Sequence, residues 1–375
     1  MPRQAKYYKR MHNNKDTFCV APWFQVRNNN DMAKRVCCSM SHEITGHMPS
    51  QNMSSLEYLN SQPIRDLKKD LANGVRSEHC RICWLKEENG IRSLRQDLNE
   101  LISLQKDIND ANWMDVYFNN KDDFNSDMVL SADIKVGNTC NYACVMCHPE
   151  DSSLIYANWM ANLDHPIVQS VLEEDPEYLT RAKSFTFKNK QYIKYLDDIL
   201  ENNKHIKFLK FLGGEPFLDK FLIDKLRQLP ASTKSKLSLL FVTNASKDVS
   251  EIIDSLGDFK YVQCSVSLEG IGEVQEWARY GSNWQEVEQH VLKAVSNPRI
   301  DMSILYTFQT ATVLGFRDLA TWCRNNNIKL RTNIVNNPVY LGMKTLPDHI
   351  KKDLLKDIEI NRNIIDNTET TYEDL

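Results

Sequence analysis

The chain lacks what would send it across a membrane or onto a polyanion. Its longest apolar runs, such as residues 237–242, are far too short to span a bilayer. No apolar stretch follows the basic opening at residues 1–10, so no secretory signal is expected there. A net charge of −4 over 375 residues leaves no overall basic field for nucleic acid. There is no internal repeat, and no low-complexity segment beyond the polar run Asn28-Asn29-Asn30. One further absence carries more chemistry. The run Cys140-Asn141-Tyr142-Ala143-Cys144-Val145-Met146-Cys147 holds three cysteines, and no fourth lies close by.

What is present suits a globular protein. Hydrophobic residues make up 42% and charged residues 26%, enough for a sizeable core with a solvated surface. The length fits one large domain and a smaller module. Ten cysteines in a chain read as cytoplasmic point to metal or redox chemistry rather than disulfides. A four-iron cluster normally takes four thiolates, so three at spacing C-x3-C-x2-C leave one iron open, as in a catalytic metal site. A three-cysteine zinc site is the competing account of the same spacing.

In chain order, residues 17–27 read as a strand, the turn Asn28–Asp31 follows, and residues 34–38 form a second short strand. This hairpin carries Cys19 near its start and Cys37-Cys38 near its end. Residues 54–59 open with a helix-cap signature. Residues 63–73 place Ile64, Leu67 and Leu71 on one helical face, and Gly74 stops that helix. Cys80 and Cys83 follow as a C-x-x-C pair. Cys19, Cys37, Cys80 and Cys83 together would close a metal site, with zinc as the structural alternative.

From residue 128 onward strands alternate with helices, which predicts βα units and a parallel sheet. Strands are expected at 128–136, 206–212, 237–242, 261–266, 300–308 and 328–335. The cysteine loop follows the first strand at its C-terminal end, where βα barrels keep their chemistry. Residues 164–190 read as an irregular insertion and residues 349–366 as a helix. Cys264 and Cys323 have no ligand spacing and read as core. The tryptophans are scattered and form no aromatic box. The expected division is 1–110 for the N-terminal module, 111–127 for a linker, 128–347 for the barrel and 348–375 for a helix with an acidic tail.

The cysteine loop, followed one βα unit later by Gly213-Gly214-Glu215-Pro216, resembles the radical S-adenosylmethionine (SAM) superfamily. The run Cys80-x2-Cys83-x3-Glu87-x2-Gly90-x2-Ser93-x-Arg95, with the hairpin, resembles the SPASM or Twitch auxiliary-cluster module, here N-terminal to the barrel. The resemblance implies an α/β fold, a partial (β/α)6 TIM-like barrel with a small α+β module. It implies a [4Fe-4S] cluster on Cys140, Cys144 and Cys147, and an auxiliary iron–sulfur cluster on Cys19, Cys37, Cys80 and Cys83, Cys37 being preferred to Cys38 for its spacing. It implies SAM contacts at Met146, Gly213, Gly214, Glu215, Thr243, Asn244, Ser267, Glu269, Arg279 and Val335, with Arg279 taking the SAM carboxylate. The implied reaction is reductive SAM cleavage and hydrogen abstraction, with a flavodoxin or ferredoxin as electron donor. The substrate is expected to be a peptide or protein side chain, the alternatives being a small molecule or, without catalysis, a zinc-binding scaffold. No residue is selected as acid or base.

Overall fold

A computed structural model describes residues 16–40, 50, 53–88, 92–103, 124–185, 191–335, 338–361 and 363–365. The basic opening, Gly90, most of the expected linker and the acidic tail lie outside the described residues. The chain divides into two compact units, residues 1–133 with 194–206, and residues 134–193 with 207–375.

In the first unit β1 (Gln25–Asn28) pairs antiparallel with β2 (Lys34–Arg35), the expected hairpin, and parallel with the start of β3 (Ser131–Lys135). The expected strand at 17–27 is corrected in its first half, where Ala21–Phe24 forms a short helix. Pro22 sits in its first turn, where a missing N–H costs nothing, whereas within a strand it would remove a ladder bond. Ser54 and Glu57 form a reciprocal cap on helix Ser55–Leu59. Helix Gln62–Ala72 buries Ile64, Leu67 and Leu71 as its periodicity requires.

The same helix also buries Lys68 completely. Its ammonium donates to the carbonyls of Leu59 (2.8 Å) and Phe124 (3.0 Å) and to the Ser126 hydroxyl (2.8 Å). A desolvated cation is tolerable only with such partners.

The second unit is a mostly parallel α/β sheet. Its strands are the end of β3, then β5 (Phe208–Leu212), β6 (Ser238–Thr243), β7 (Tyr261–Ser267), β9 (Asp301–Phe308) and β10 (Lys329–Ile334), adjacent in that order. A separate two-stranded ladder joins β4 (Ala143–Cys144) to β8 (Arg279–Tyr280). The strands alternate: Val262, Cys264 and Val266 of β7 and Met302, Ile304, Tyr306 and Phe308 of β9 are buried on one face, while the other carries polar residues such as Gln263, Ser265 and Ser303. Phe211 stacks on Phe241 at 5.3 Å, and Tyr306, Phe308 and Phe316 form a second aromatic cluster. Cys264 and Cys323 are fully buried, as expected of core.

The insertion expected to be irregular is instead helical over Pro166–Glu174 and Tyr178–Ser184. Pro166 opens the first of these and His165 caps it through Nδ1, a weaker start signal than Ser or Asp. Residues 186–190 lie outside the described residues. Among the described residues no helix is long and apolar enough to cross a membrane.

Replacing Lys68 with Met removes a shared donor from three buried acceptors. The variant is expected to lose about 3 kcal/mol of unfolding free energy in urea. An unchanged midpoint would show that the ammonium is dispensable.

Candidate active site and thiol clusters

Because strands β3, β5, β6, β7, β9 and β10 run parallel, their C-terminal ends share one edge of the sheet. There the chain places the cysteine loop after β3, Gly213-Gly214-Glu215 after β5, Thr243-Asn244 at the end of β6, Ser267 to Glu269 after β7, and Val335 after β10. Sequence reasoning placed these groups at strand ends, and the fold brings them to one edge.

The loop is held at its base by Asn138. This buried side chain donates to the carbonyls of Pro149 and Ala182, both at 2.9 Å. The hydroxyls of Ser152 and Ser153 donate to the carbonyls of Tyr142 (2.7 Å) and Cys140 (3.2 Å). Gly213 and Gly214 both have positive φ. A Cβ on Gly214 would stand 2.4 Å from the Thr139 carbonyl oxygen, so glycine is required here for close approach to the cysteine loop itself.

Cys144 is buried, and Cys140 and Cys147 are half-buried. Burial pushes the Cys140 thiol up to about 11 and raises Cys144 and Cys147 also. Asn244 Nδ2 lies 3.8 Å from Cys140 Sγ, and Arg279 Nη1 lies 3.6 Å from Cys144 Sγ. Met146 is half-buried in the turn between Cys144 and Cys147.

Two carboxylates are buried at the strand ends. Glu215 accepts from the Thr243 hydroxyl (2.7 Å), the Asn244 amide (2.6 Å) and the Phe217 amide (3.1 Å). Glu269 pairs with Arg279 at 2.7 Å and accepts from the Thr307 amide (3.2 Å) and Gln309 (3.4 Å). Burial pushes Glu215 up to about 6 against those hydrogen bonds, and raises Glu269 against the pull of Arg279. Both carboxylates and the guanidinium, expected to face the cofactor, here bond to neighbouring protein groups.

Three buried polar atoms near Glu269 lack partners: Gln275 Nε2, Arg279 Nε and Gln309 Oε1. Such orphans fit a polar ligand at this edge. No pattern of residues pointed to Asn138, Gln275 or Gln309, because a lone amide has no spacing to recognise.

In the first unit Cys19, Cys37, Cys80 and Cys83 line one small cavity of about 20 Å³, together with His79 and Arg95. Cys38 is exposed and does not line it. Buried Arg95 and half-buried Glu87 form an ion pair at 2.6 Å, and Ser93 donates to Glu87. Arg95 also donates to the Phe18 carbonyl at 2.7 Å, and Asn99 bonds Phe18 and Val20. The polar residues after Cys83 therefore pin the segment that carries Cys19. Burial pushes Cys80 up to about 12 and raises Cys19, Cys37 and Cys83, while Arg95 pulls Cys19, Cys80 and Cys83 down. Among the described residues no three His, Cys, Asp or Glu side chains converge as a single metal ion requires. A cluster that spreads its thiolates over separate irons does not need that convergence.

Residues 134–310 match the Radical SAM superfamily model. No curated protein matches the chain. Among solved structures, native anSMEcpe with bound AdoMet is 17% identical, with 62% of this chain and 59% of that one covered and a TM-score of 0.41. Streptococcus suis SuiB bound to S-adenosylmethionine is 10% identical over 82% and 65%, with a TM-score of 0.40. The methyltransferase TsrM from Kitasatospora setae, with cobalamin and a [4Fe-4S] cluster bound, is 10% identical over 55% and 34%, at 0.36. The chain thus spans about three fifths of the length of anSMEcpe.

Glu215 provides a test of the strand-end network. In Glu215→Gln an amide nitrogen must face at least one donor, at a cost of about 1–3 kcal/mol in urea unfolding at pH 7. The folded protein also holds the Glu215 proton more tightly than the unfolded chain does, since its value is raised from 4.5 to about 6. Ionised Glu215 therefore opposes folding above that value, and the penalty is relieved as pH falls from about 6 through 4.5. The deficit of the variant should widen across that window by up to about 2 kcal/mol. A constant deficit at every pH would refute the buried, raised carboxyl.

Proposed function

We propose that this protein is a radical SAM enzyme that abstracts a hydrogen atom from its substrate. The observation that carries the reading is the loop with three thiols and no fourth, held at the shared C-terminal edge of the parallel strands. The donor set fits a [4Fe-4S] cluster with one iron left for SAM. When bound, that pair supplies one-electron reductive cleavage of SAM to methionine and a 5′-deoxyadenosyl radical, the electron coming from a flavodoxin- or ferredoxin-type donor.

The protein's own residues then have distinct tasks. Cys140, Cys144 and Cys147 hold the cluster, while Asn244 and Arg279 donate toward two of their sulfurs. Such hydrogen bonds and the charge beside them set the reduction potential. Gly213 and Gly214 keep the strand end close against the loop, and their carbonyls suit an ammonium group. Thr243, Asn244, Ser267 and Val335 stand at the strand ends for the ribose, the methionyl part and the base. Glu215 and Glu269 act as positioning residues, since their oxygens are engaged by protein donors.

The four thiols of the first unit fit an auxiliary iron–sulfur cluster, which would supply an electron acceptor after hydrogen abstraction. With that acceptor the reaction is an oxidation or cross-link, and a peptide or protein side chain is the substrate this favours. Arg95 beside the thiols offsets part of their negative charge.

Anaerobic reconstitution with iron and sulfide is expected to give a brown protein with about eight irons per chain, about four in each cluster. Replacing Cys80 and Cys83 with Ala should leave about four irons and continued release of 5′-deoxyadenosine from SAM with dithionite. Replacing Cys140 and Cys147 should abolish that release. A colourless protein that takes up zinc and cleaves no SAM would overturn the reading in favour of a scaffold.

A further inference from the structure

Beside the cysteine loop opens a cavity of about 620 Å³, walled on one side by Cys144 and Cys147. Its volume suits a ligand rather than a trapped water. None of the residues assigned above to SAM lines it, but the two regions meet at Cys144, which walls the cavity and lies 3.6 Å from Arg279. The other walls come from helices Ser153–Ala161 and Pro166–Glu174, and from Tyr280 and Tyr340.

Three properties define what it would take. The lining contains no Asp, Glu, Lys or Arg, its nitrogen-bearing side chains being Asn158, Asn162, His148, His165 and Trp159, so a charged group entering it would lose water and meet no carboxylate, ammonium or guanidinium. Four aromatic side chains line it, Trp159, Tyr178, Tyr280 and Tyr340, and the rings of Trp159 and Tyr178 lie 5.8 Å apart. Aromatic walls favour an aromatic guest beyond area burial, through edge-to-face and offset contacts. Finally, helix Ser153–Ala161 is rich in apolar residues, yet none of them is buried, and Ile167 on the next helix is 53% exposed. These walls stay open to solvent although their composition suits a covered surface.

We propose that this cavity is the substrate pocket, and that it takes an uncharged aromatic ring and holds it against the cysteine loop. The assignment rests on the radical SAM reading for its catalytic meaning, but the binding itself does not. The ring belongs either to a side chain of a peptide or to a free aromatic compound.

Calorimetric titration of the iron-loaded protein, without SAM or dithionite, tests it. p-Cresol should bind, while cyclohexanol should bind about two- to tenfold more weakly and benzoate and benzylamine at least about tenfold more weakly. An uncharged acetylated and amidated tripeptide with a central tyrosine distinguishes the sources. Tighter binding than p-cresol assigns the ring to a peptide, and weaker binding assigns it to a free compound.

Val171→Trp fills the cavity and should weaken p-cresol by about tenfold or more, with iron content and circular dichroism unchanged. If that variant fails to fold, Trp159→Phe should stay within about twofold of the parent while Trp159→Ala loses about tenfold. Equal binding of the charged, aliphatic and aromatic probes, or unchanged binding in Val171→Trp, would overturn the pocket. Release of 5′-deoxyadenosine is measured separately. Loss of ring binding with SAM cleavage intact removes only the pocket, and ring binding without SAM cleavage removes only the reaction.

Discussion

The position of the cysteine loop depends on the buried pair of Glu269 and Arg279. Glu269 is wholly withdrawn from water, and a carboxylate there is sustainable only beside a cation and further donors. Arg279 meets it at 2.7 Å while its other terminal nitrogen reaches Cys144 Sγ. The β4–β8 ladder sets Cys144 opposite Arg279 in register, so backbone and guanidinium make the same attachment twice. A buried ion pair contributes little net stability relative to an apolar filling of equal volume. What this one does is fix direction, since a planar guanidinium presents its donors at set angles.

Much of this edge was legible in the sequence, and the reason is local. C-x3-C-x2-C and Gly-Gly-Glu are short constraints that must be met within a few residues. A Cβ on Gly214 would strike the Thr139 carbonyl, and a fixed loop spacing carries the three thiols. The strand expectations succeeded for the same reason, because β7 and β9 carry their buried apolar residues at every second position, a period that reads within a few residues. The misreadings arose where the deciding signal was weak or nonlocal. Pro22 converts an apolar stretch into a helical turn, and Pro166 with a histidine cap starts a helix in polar surroundings. The partners of Glu269 come from Thr307 and Gln309, nearly forty residues on, and no spacing links them.

The two thiol sets share a physical device. Beside Cys80 and Cys83 stands Arg95 paired with Glu87, and beside Cys144 stands Arg279 paired with Glu269. A lone arginine would pull neighbouring thiols strongly toward thiolate. Pairing it with a glutamate, half-buried Glu87 in one case and buried Glu269 in the other, cancels much of that charge while keeping the donors in place. Glu87 indeed raises Cys80 and Cys83 as Arg95 lowers them. Each site thereby gains oriented N–H groups without a large net field. That arrangement suits a cluster whose charge changes by one electron, because a strong fixed field would favour one oxidation state. Cys38, exposed beside Cys37, lies outside the four-thiol cavity, and the fold separates two neighbours that spacing alone could rank only by resemblance.

The cysteine loop also divides two kinds of environment. Toward Asn244, Glu269 and Arg279 it meets charged and polar groups with fixed partners, and on the cavity side it meets aromatic rings and aliphatic chains with two histidines and two asparagines among them. The polar side is preorganised, each carboxylate oxygen engaged and the loop hydrogen-bonded at both ends. The apolar side rests on a nine-residue helix with none of its residues buried. A helix so short is marginal alone and depends on packing for its order. The element with the least packing is then the one whose order a guest would increase most. Cys144 belongs to both environments, so a guest in the cavity would lie beside the same thiols that Arg279 and Glu269 hold in place, and not across the loop from them.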